Sequence, residues 1–341
     1  MTVGATRPTV RVLYVNDAAF TGRRILERAA RDGQPWRFLP RAVADPGWSG
    51  LVGRLRFVAR GAAWVARLAL AASHVDLLHI HSGAMLKHTR FVPKPFVLHL
   101  HGTDIRTLQY DPAWRDSILW GVRKARAVLY STPDLAEHIL PHRPDAIYLP
   151  VPVTLSALPK PAAVPEHRVF FCSRWEDVKG LEQQLLIARA LVQALPEGYE
   201  VTGLDWGLGA ARAREAGVRL VPRMPHDEYL AFIAASAAVV GQSAGILSSS
   251  ELEALGIGVP VYVPLRPGLY PDAPPVGGGA GAFENPEAVA AALLADLAAG
   301  TRDEKAGPAW IARTHETELA YRRLAALYPT LVVSARGRAA R

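Results

Sequence analysis

The stretch LPKPAAVPEH, residues 158–167, carries three prolines in ten positions. Proline fixes φ and cannot donate to a helix or a ladder, so this density breaks regular structure and reads as a linker. It is decisive because the sequence has the same grammar on both sides of it. Ahead lie the short apolar runs VRVLYVN (10–16), WRFL (36–39), VDLLHIH (75–81), PFVLHLH (95–101), AVLYS (127–131) and AIYL (146–149), with helical stretches between them. Behind come RVFFCS (168–173), YEVTGLD (199–205), VRLVP (218–222), AAVVGQ (237–242) and VPVYVP (259–264), with helices expected at 181–195, 226–235, 249–256 and 286–299. Near-continuous Val/Leu/Ile runs suit strands buried on both faces, hence parallel sheets with crossover helices. One crossover is residues 51–72, where Leu51, Leu55, Val58, Ala62, Val65 and Ala69 recur at spacings of three and four. The expected fold is α/β, two doubly wound Rossmann-like domains facing a central cleft, with ligands at the carboxyl ends of the strands.

Composition agrees. At 341 residues the chain exceeds one ordinary core, and about 150 residues per domain gives two. Half the residues are hydrophobic and 21% are charged, a soluble globular balance. No apolar run reaches the ~18 residues of a membrane span, and MTVGATRPTVRVLYVN passes from a polar leader into a strand, unlike a signal peptide. Cys172 stands alone, which excludes an intramolecular disulfide and predicts a reducing, cytoplasmic setting. The net charge is +8, yet the 39 Lys and Arg are scattered without a long basic block, which argues against nucleic acid. Arg54, Arg56, Arg60 and Arg67 beside Phe57 and Trp64 have two readings: a core-packing helix with solvated arginines, or a weak membrane-surface contact.

Four strand-end loops carry unusual residues. In CSRWEDVKGLEQQLL (172–186), Arg174 and Lys179 follow a strand and precede a helix, with Gly180 between. A guanidinium fork and an ammonium at such a turn can hold a diphosphate; the alternative is a solvated loop in which Arg174 pairs with Glu176 or Asp177. In AGILSSSELEALGIGVPVYV (244–263), Ser248, Ser249 and Ser250 open a helix, with Glu251 and Glu253 in or near its first turn. A helix start leaves N–H groups unpaired and welcomes a phosphate, although one serine already suffices as a plain cap. A carboxylate one turn inside can accept hydrogen bonds from a sugar diol. In LHLHGTDIR (98–106), His99 and His101 share a face by strand alternation, and LLHIHSG (77–83) repeats the theme with His79 and His81. These are either satisfied core histidines or functional ones. Their one-residue spacing, with no carboxylate or cysteine completing a set, predicts no metal. Gly22, in NDAAFTGRRILERAA (16–30), is a lone glycine; G-x-G-x-x-G and Walker A are missing.

Together these segments resemble the GT-B glycosyltransferases, in particular the retaining family 4. SRWEDVKG is similar to that family's strand-R-x4-K-G segment, which binds the donor diphosphate. ELEALGIGVPVYV resembles its Glu-Ala-x3-Gly-x-Pro-Val segment, so Glu253 falls where the family's carboxylate grips the donor ribose. LHLHGTD resembles the strand-end histidine segment near the donor sugar, which implicates His101. AWIARTHETELAYRRLAALYPTLV (309–332) is similar to the C-terminal helices that cross back onto the N-terminal domain. The resemblance implies an acceptor-binding domain over 1–158, with a C-terminal helix near 317–335 packing onto it, and a donor-binding domain over 166–316. It implies hexosyl or pentosyl transfer with retention, from a UDP-type nucleotide sugar to a small-molecule or glycan acceptor, with no cofactor and with cations in place of a metal. Arg174 and Lys179 would join His101 in the chemistry, and Gly22, Gly245, Ser248, Ser249, Ser250 and Glu253 would line the donor. The chain departs from the family where E-x7-E should stand, because Gly245 occupies the first glutamate position and leaves space there. The family's first-loop glycine pair is reduced to Gly22. Two alternatives stand beside this reading: a non-catalytic sugar-nucleotide-binding protein, and a peripheral membrane glycosyltransferase with a lipid acceptor.

Overall fold

The computed structural model describes residues 9–42, 47–278 and 280–339. They divide into two compact units, one drawn from 1–152 and 317–341, the other from 153–316. The first holds strands β1 (Val12–Val15), β2 (Trp36–Leu39), β3 (Leu77–His81), β4 (Phe96–Leu100), β5 (Ala127–Tyr130) and β6 (Ile147–Tyr148), all parallel in the order β2-β1-β3-β4-β5-β6. The second holds β7 (Glu166–Phe171), β8 (Glu200–Leu204), β9 (Arg219–Val221), β10 (Ser236–Val240) and β11 (Val261–Tyr262), parallel in the order β11-β10-β7-β8-β9. Each apolar run read from the sequence is a strand. The reason is visible in β1, β3, β4, β5 and β10, which are buried at every position, as the central strands of a sheet covered on both faces must be.

Crossover helices α1 (Thr21–Arg31), α2 (Gly50–Ser73), α3 (Leu86–Thr89), α4 (Pro112–Lys124) and α5 (Ala136–Ile139) belong to the first unit. In the second lie α6 (Leu181–Ala194), α7 (Ala210–Glu215), α8 (His226–Ala234), α9 (Ser249–Ile257), α10 (Glu287–Ala299) and α11 (Ala306–Thr314), before α12 (Thr317–Ala339) returns to the first. Strand alternation sorts the first unit's side chains into two cores. Leu13, Val15, Leu78, Ile80, Leu98 and Leu100 pack with Trp64, Leu68 and Val122. Val12, Tyr14, Leu77 and Val97 pack with Ile25, Leu324 and Tyr328. His79, His81 and His99 fall in register with the second set.

In α2 the fold differs from the simplest reading of its stripe. Leu51, Leu55, Val58, Ala62 and Ala69 do share a helical side, but that side faces solvent. The helix is held instead by Gly53, Trp64, Leu68 and Ala72. A period of 3.6 identifies a side without saying which way it points, and this helix is apolar over most of its circumference. The Trp64 indole decides, burying its ring and donating Nε1 to Pro40 O at 2.7 Å. Truncating buried Leu68 to alanine should therefore cost about 2–5 kcal/mol, whereas Leu55→Ala should cost less than about 0.5 kcal/mol. Urea unfolding of the two variants checks this, and a larger loss from Leu55→Ala would put the stripe in the core.

Candidate functional site

In the second unit strand order reverses between β7 and β10, the place where open α/β sheets bind ligands. The loops leaving those two strands meet there. Lys179 Nζ donates to Gln242 Oε1 at 3.0 Å, and Ser243 N donates to Lys179 O at 2.9 Å. Gly180 has φ 72°, and a Cβ on it would lie 2.5 Å from Ser243 O, so both conformation and close approach demand glycine. The β7 loop hangs from Trp175, fully buried, whose Nε1 donates to Leu204 O at 3.0 Å. Beside it Arg174 forms the ion pair that the solvated-loop alternative expects, Nε to Glu176 Oε2 at 2.7 Å. Its guanidinium also stands 5.6 Å from the Trp206 ring centroid, and that of Arg223 stands 4.4 Å from the same ring. Arg174 thus keeps company with Trp206 and Arg223, and Lys179 with Gln242. Those three partners lie just beyond strands as well, but in no recognisable spacing. Gln242 Nε2 and Ser243 Oγ are buried without a hydrogen-bond partner, which a polar ligand at this point would relieve.

Helix α9 begins at the same point. Its N-cap is Ser248, whose backbone N–H donates to Glu251 Oε2 at 2.8 Å and whose hydroxyl donates to that same oxygen. Glu251 Oε1 accepts from Gln242 N at 2.7 Å. This fully buried carboxylate staples the helix start to the β10 loop, a structural role that its sequence position did not separate from that of Glu253. Ser250 hydrogen-bonds Tyr229, and Ser249 is half-buried on the first turn. Glu253 is only 2% exposed and meets His226 Nε2 at 2.9 Å, a partner 27 residues away that no local signal could reveal. Gly245 has φ 78°, and a Cβ there would lie 2.6 Å from Phe283 Cε2. A glutamate at 245 would need a different backbone and a displaced ring, so more than a side chain separates this loop from E-x7-E.

In the first unit the order reverses between β1 and β3. Among the described residues, the non-glycine positions with positive φ are Asn16, Ala19, Phe20 and Ser82, at 68°, 51°, 59° and 79°. All four lie just past the carboxyl ends of those two strands. Backbone strain of this kind costs of order 1–3 kcal/mol per residue and concentrates at functional sites. Gly22 N donates to Asp17 Oδ1 at 2.7 Å, and a Cβ on Gly22 would sit 3.2 Å from His81 Nε2. The β3 and β4 loops are tied by Asp104, which accepts from Gly83 N (2.9 Å), His101 N (3.1 Å), Gly102 N (3.1 Å) and Ile105 N (2.9 Å). Burial pushes the Asp104 carboxyl up, against the pull of those backbone donors.

Asp104 thereby fixes the start of the His101 loop, and the four histidines form one network. His81 Nδ1 meets His101 Nε2 at 2.9 Å, and His79 Nε2 meets His99 Nδ1 at 3.2 Å. The other His79 nitrogen meets Tyr328 OH at 2.5 Å, and Tyr328 meets Tyr14 OH at 2.7 Å. Burial lowers His79 and His101 to about 3, and pushes His81 and His99 down as well. All four rings are neutral near pH 7, so His101 can offer a hydrogen bond but no positive charge. His79, His81 and His99 bring one ring nitrogen each within 4.8 Å of one another, a grouping across two strands that their spacing in the sequence did not reveal. His81 Nε2, His99 Nε2 and Thr21 Oγ1 are buried without partners, again at a strand-order reversal.

These histidines make stability depend on pH with a definite sign. Unfolded, each titrates near its ordinary ~6.5; folded, His79 and His101 titrate at about 3. Between those values the unfolded chain binds more protons, so stability is complete above about pH 6.5 and falls on acidification. Each ring contributes up to about 1.4 kcal/mol per pH unit. Melting temperature should drop between pH 6.5 and 5, before most carboxylates protonate; a flat profile there would contradict buried neutral histidines.

Two parallel-sheet α/β units, of six and five strands, are the layout of the GT-B fold. Over 95% of its length the chain is similar to the whole of sucrose-phosphate synthase from Thermosynechococcus elongatus, with a TM-score of 0.68 at 15% identity. It is similar over 93% of its length to 98% of HepE from Anabaena, solved in complex with UDP-glucose, with a TM-score of 0.65 at 14% identity. A structure from Listeria monocytogenes assigned as a UDP-N-acetylglucosamine 2-epimerase matches 93% of this chain over 95% of its own, with a TM-score of 0.57 at 15% identity. At this identity the likeness is one of fold. No protein-family model and no curated protein matches the sequence.

Proposed function

We propose that the protein is a glycosyltransferase that moves a hexosyl or pentosyl group from a UDP-type nucleotide sugar to a small-molecule or glycan acceptor. The second unit binds the donor and the first the acceptor. The carrying observation is that the β7 loop bearing Arg174 and Lys179 meets the β10 loop through Lys179 and Gln242, where Glu251 staples the start of α9 beside two unpartnered buried polar groups. Negative charge develops on the diphosphate as it leaves. A guanidinium, an ammonium and a helix N-terminus already in place stabilise that charge without reorganising when it appears. Arg174 exchanges its Glu176 partner for phosphate oxygen. Glu253, oriented by His226, accepts from the ribose hydroxyls, and neutral His101 donates to the sugar. Retention and independence from metal are part of the proposal, on the resemblance of the motifs. No carboxylate is assigned as nucleophile. HepE, bound to UDP-glucose, supports the donor class.

Because the fold also occurs in a structure assigned as an epimerase, the product decides between reactions. Incubation with radiolabelled UDP-sugars should release UDP and place label on an acceptor; an epimerised UDP-sugar with no transfer would overturn the reading. With an identified donor, Lys179→Ala and Arg174→Ala should each lower kcat by about 10²–10³-fold while far-ultraviolet circular dichroism stays unchanged. Near wild-type turnover in both would remove the diphosphate assignment.

Turnover should also survive EDTA, since two cations already stand where a magnesium–diphosphate complex would otherwise bring charge. Activity lost on chelation and restored by magnesium or manganese would contradict this.

A further inference from the structure

Among the described residues, the outward stripe of α2 is exposed. Leu51, Leu55 and Val58 are 74%, 62% and 66% exposed, with Val52 and Leu70 beside them and Phe57 also exposed. At ~100° per residue, Leu51, Leu55, Val58, Ala62, Ala66 and Ala69 share an arc turned away from buried Trp64 and Leu68, while Arg56, Arg60 and Arg67 cluster along one margin. The helix has 24 residues and no aspartate or glutamate. Its Trp64 ring lies 6.2 Å from His88 of α3.

An apolar stripe with arginines along its margin, on a helix without a carboxylate, matches a single kind of surface. We propose that this stripe seats the first unit on an anionic bilayer, with α2 lying in the interfacial plane. The apolar residues enter among the acyl chains while the arginines extend to the headgroups. No helix among the described residues is long and apolar enough to cross a membrane, so the helix lies on the bilayer rather than through it. A second copy is the poorer occupant: pairing α2 with itself sets arginine against arginine with no carboxylate on either helix. The binding is read without donor or acceptor, so its failure and that of the transferase reading are distinguishable.

The test is co-sedimentation of the full chain with phosphatidylcholine vesicles, with and without phosphatidylglycerol. Binding should be at least about tenfold tighter with the anionic lipid and should weaken as salt rises. Leu55→Glu/Val58→Glu should lose at least about tenfold in affinity, and Arg56→Glu/Arg67→Glu should weaken binding and flatten its salt dependence. All four side chains are exposed, so melting temperatures should match wild type. Millimolar inorganic phosphate should leave the vesicle-bound fraction unchanged. Equal binding to neutral vesicles, no binding, wild-type binding by Leu55→Glu/Val58→Glu, or loss to free phosphate would each overturn the proposal. So would concentration-dependent dimerisation, abolished by the same pair of substitutions, in a protein that ignores vesicles.

Discussion

The second unit depends on a contact with no room in it: the backbone of Gly180 against the carbonyl of Ser243. Only a residue without Cβ, in a left-handed conformation, lets the β7 loop come this close to the β10 loop. The approach lets Ser243 N reach Lys179 O, and it puts Lys179 Nζ on Gln242. Glu251 then carries the same constraint onward, holding Gln242 N and Ser248 N on its two oxygens, so that α9 starts where the cations are. Trp175 fixes the other side of the loop from within the core. The geometry of these loops therefore follows from packing and buried hydrogen bonds, with the half-buried charges carried on a frame they did not build.

The first unit solves a related problem with other groups. Asp104 gathers four backbone donors from two loops, and four positive-φ residues mark how tightly the β1 and β3 ends are bent. Beneath them the histidines sit without charge, because burial makes an imidazolium too costly. His79 spends both nitrogens, on Tyr328 and His99, and His81 spends one on His101, while His81 Nε2 and His99 Nε2 are left over. Unpartnered buried atoms at the strand-order reversal of each unit are the feature the two share.

Much of the fold was legible because parallel strands buried on both faces leave unbroken apolar runs, and all of β1 to β11 follow from them. The strand-end positions of Arg174, Lys179 and His101 were legible for the same reason. What stayed hidden depends on direction or on distance along the chain. The α2 stripe has a clear period, but a period does not say which side meets the core. Glu251 and Glu253 look alike two residues apart, yet one staples a loop and the other meets His226. Short α7, with six residues, offers too few turns for a periodic signal. Gly245 looked like a missing carboxylate, and only its φ and the Phe283 ring show that the backbone itself is different.

The central claim, that a nucleoside diphosphate binds where the β7 and β10 loops meet, is tested most directly by hydrogen–deuterium exchange with and without UDP. Amide exchange should slow in residues 173–184 and 241–254, with little change elsewhere in the second unit. Unaltered exchange at saturating UDP, or protection confined to other segments, would contradict it.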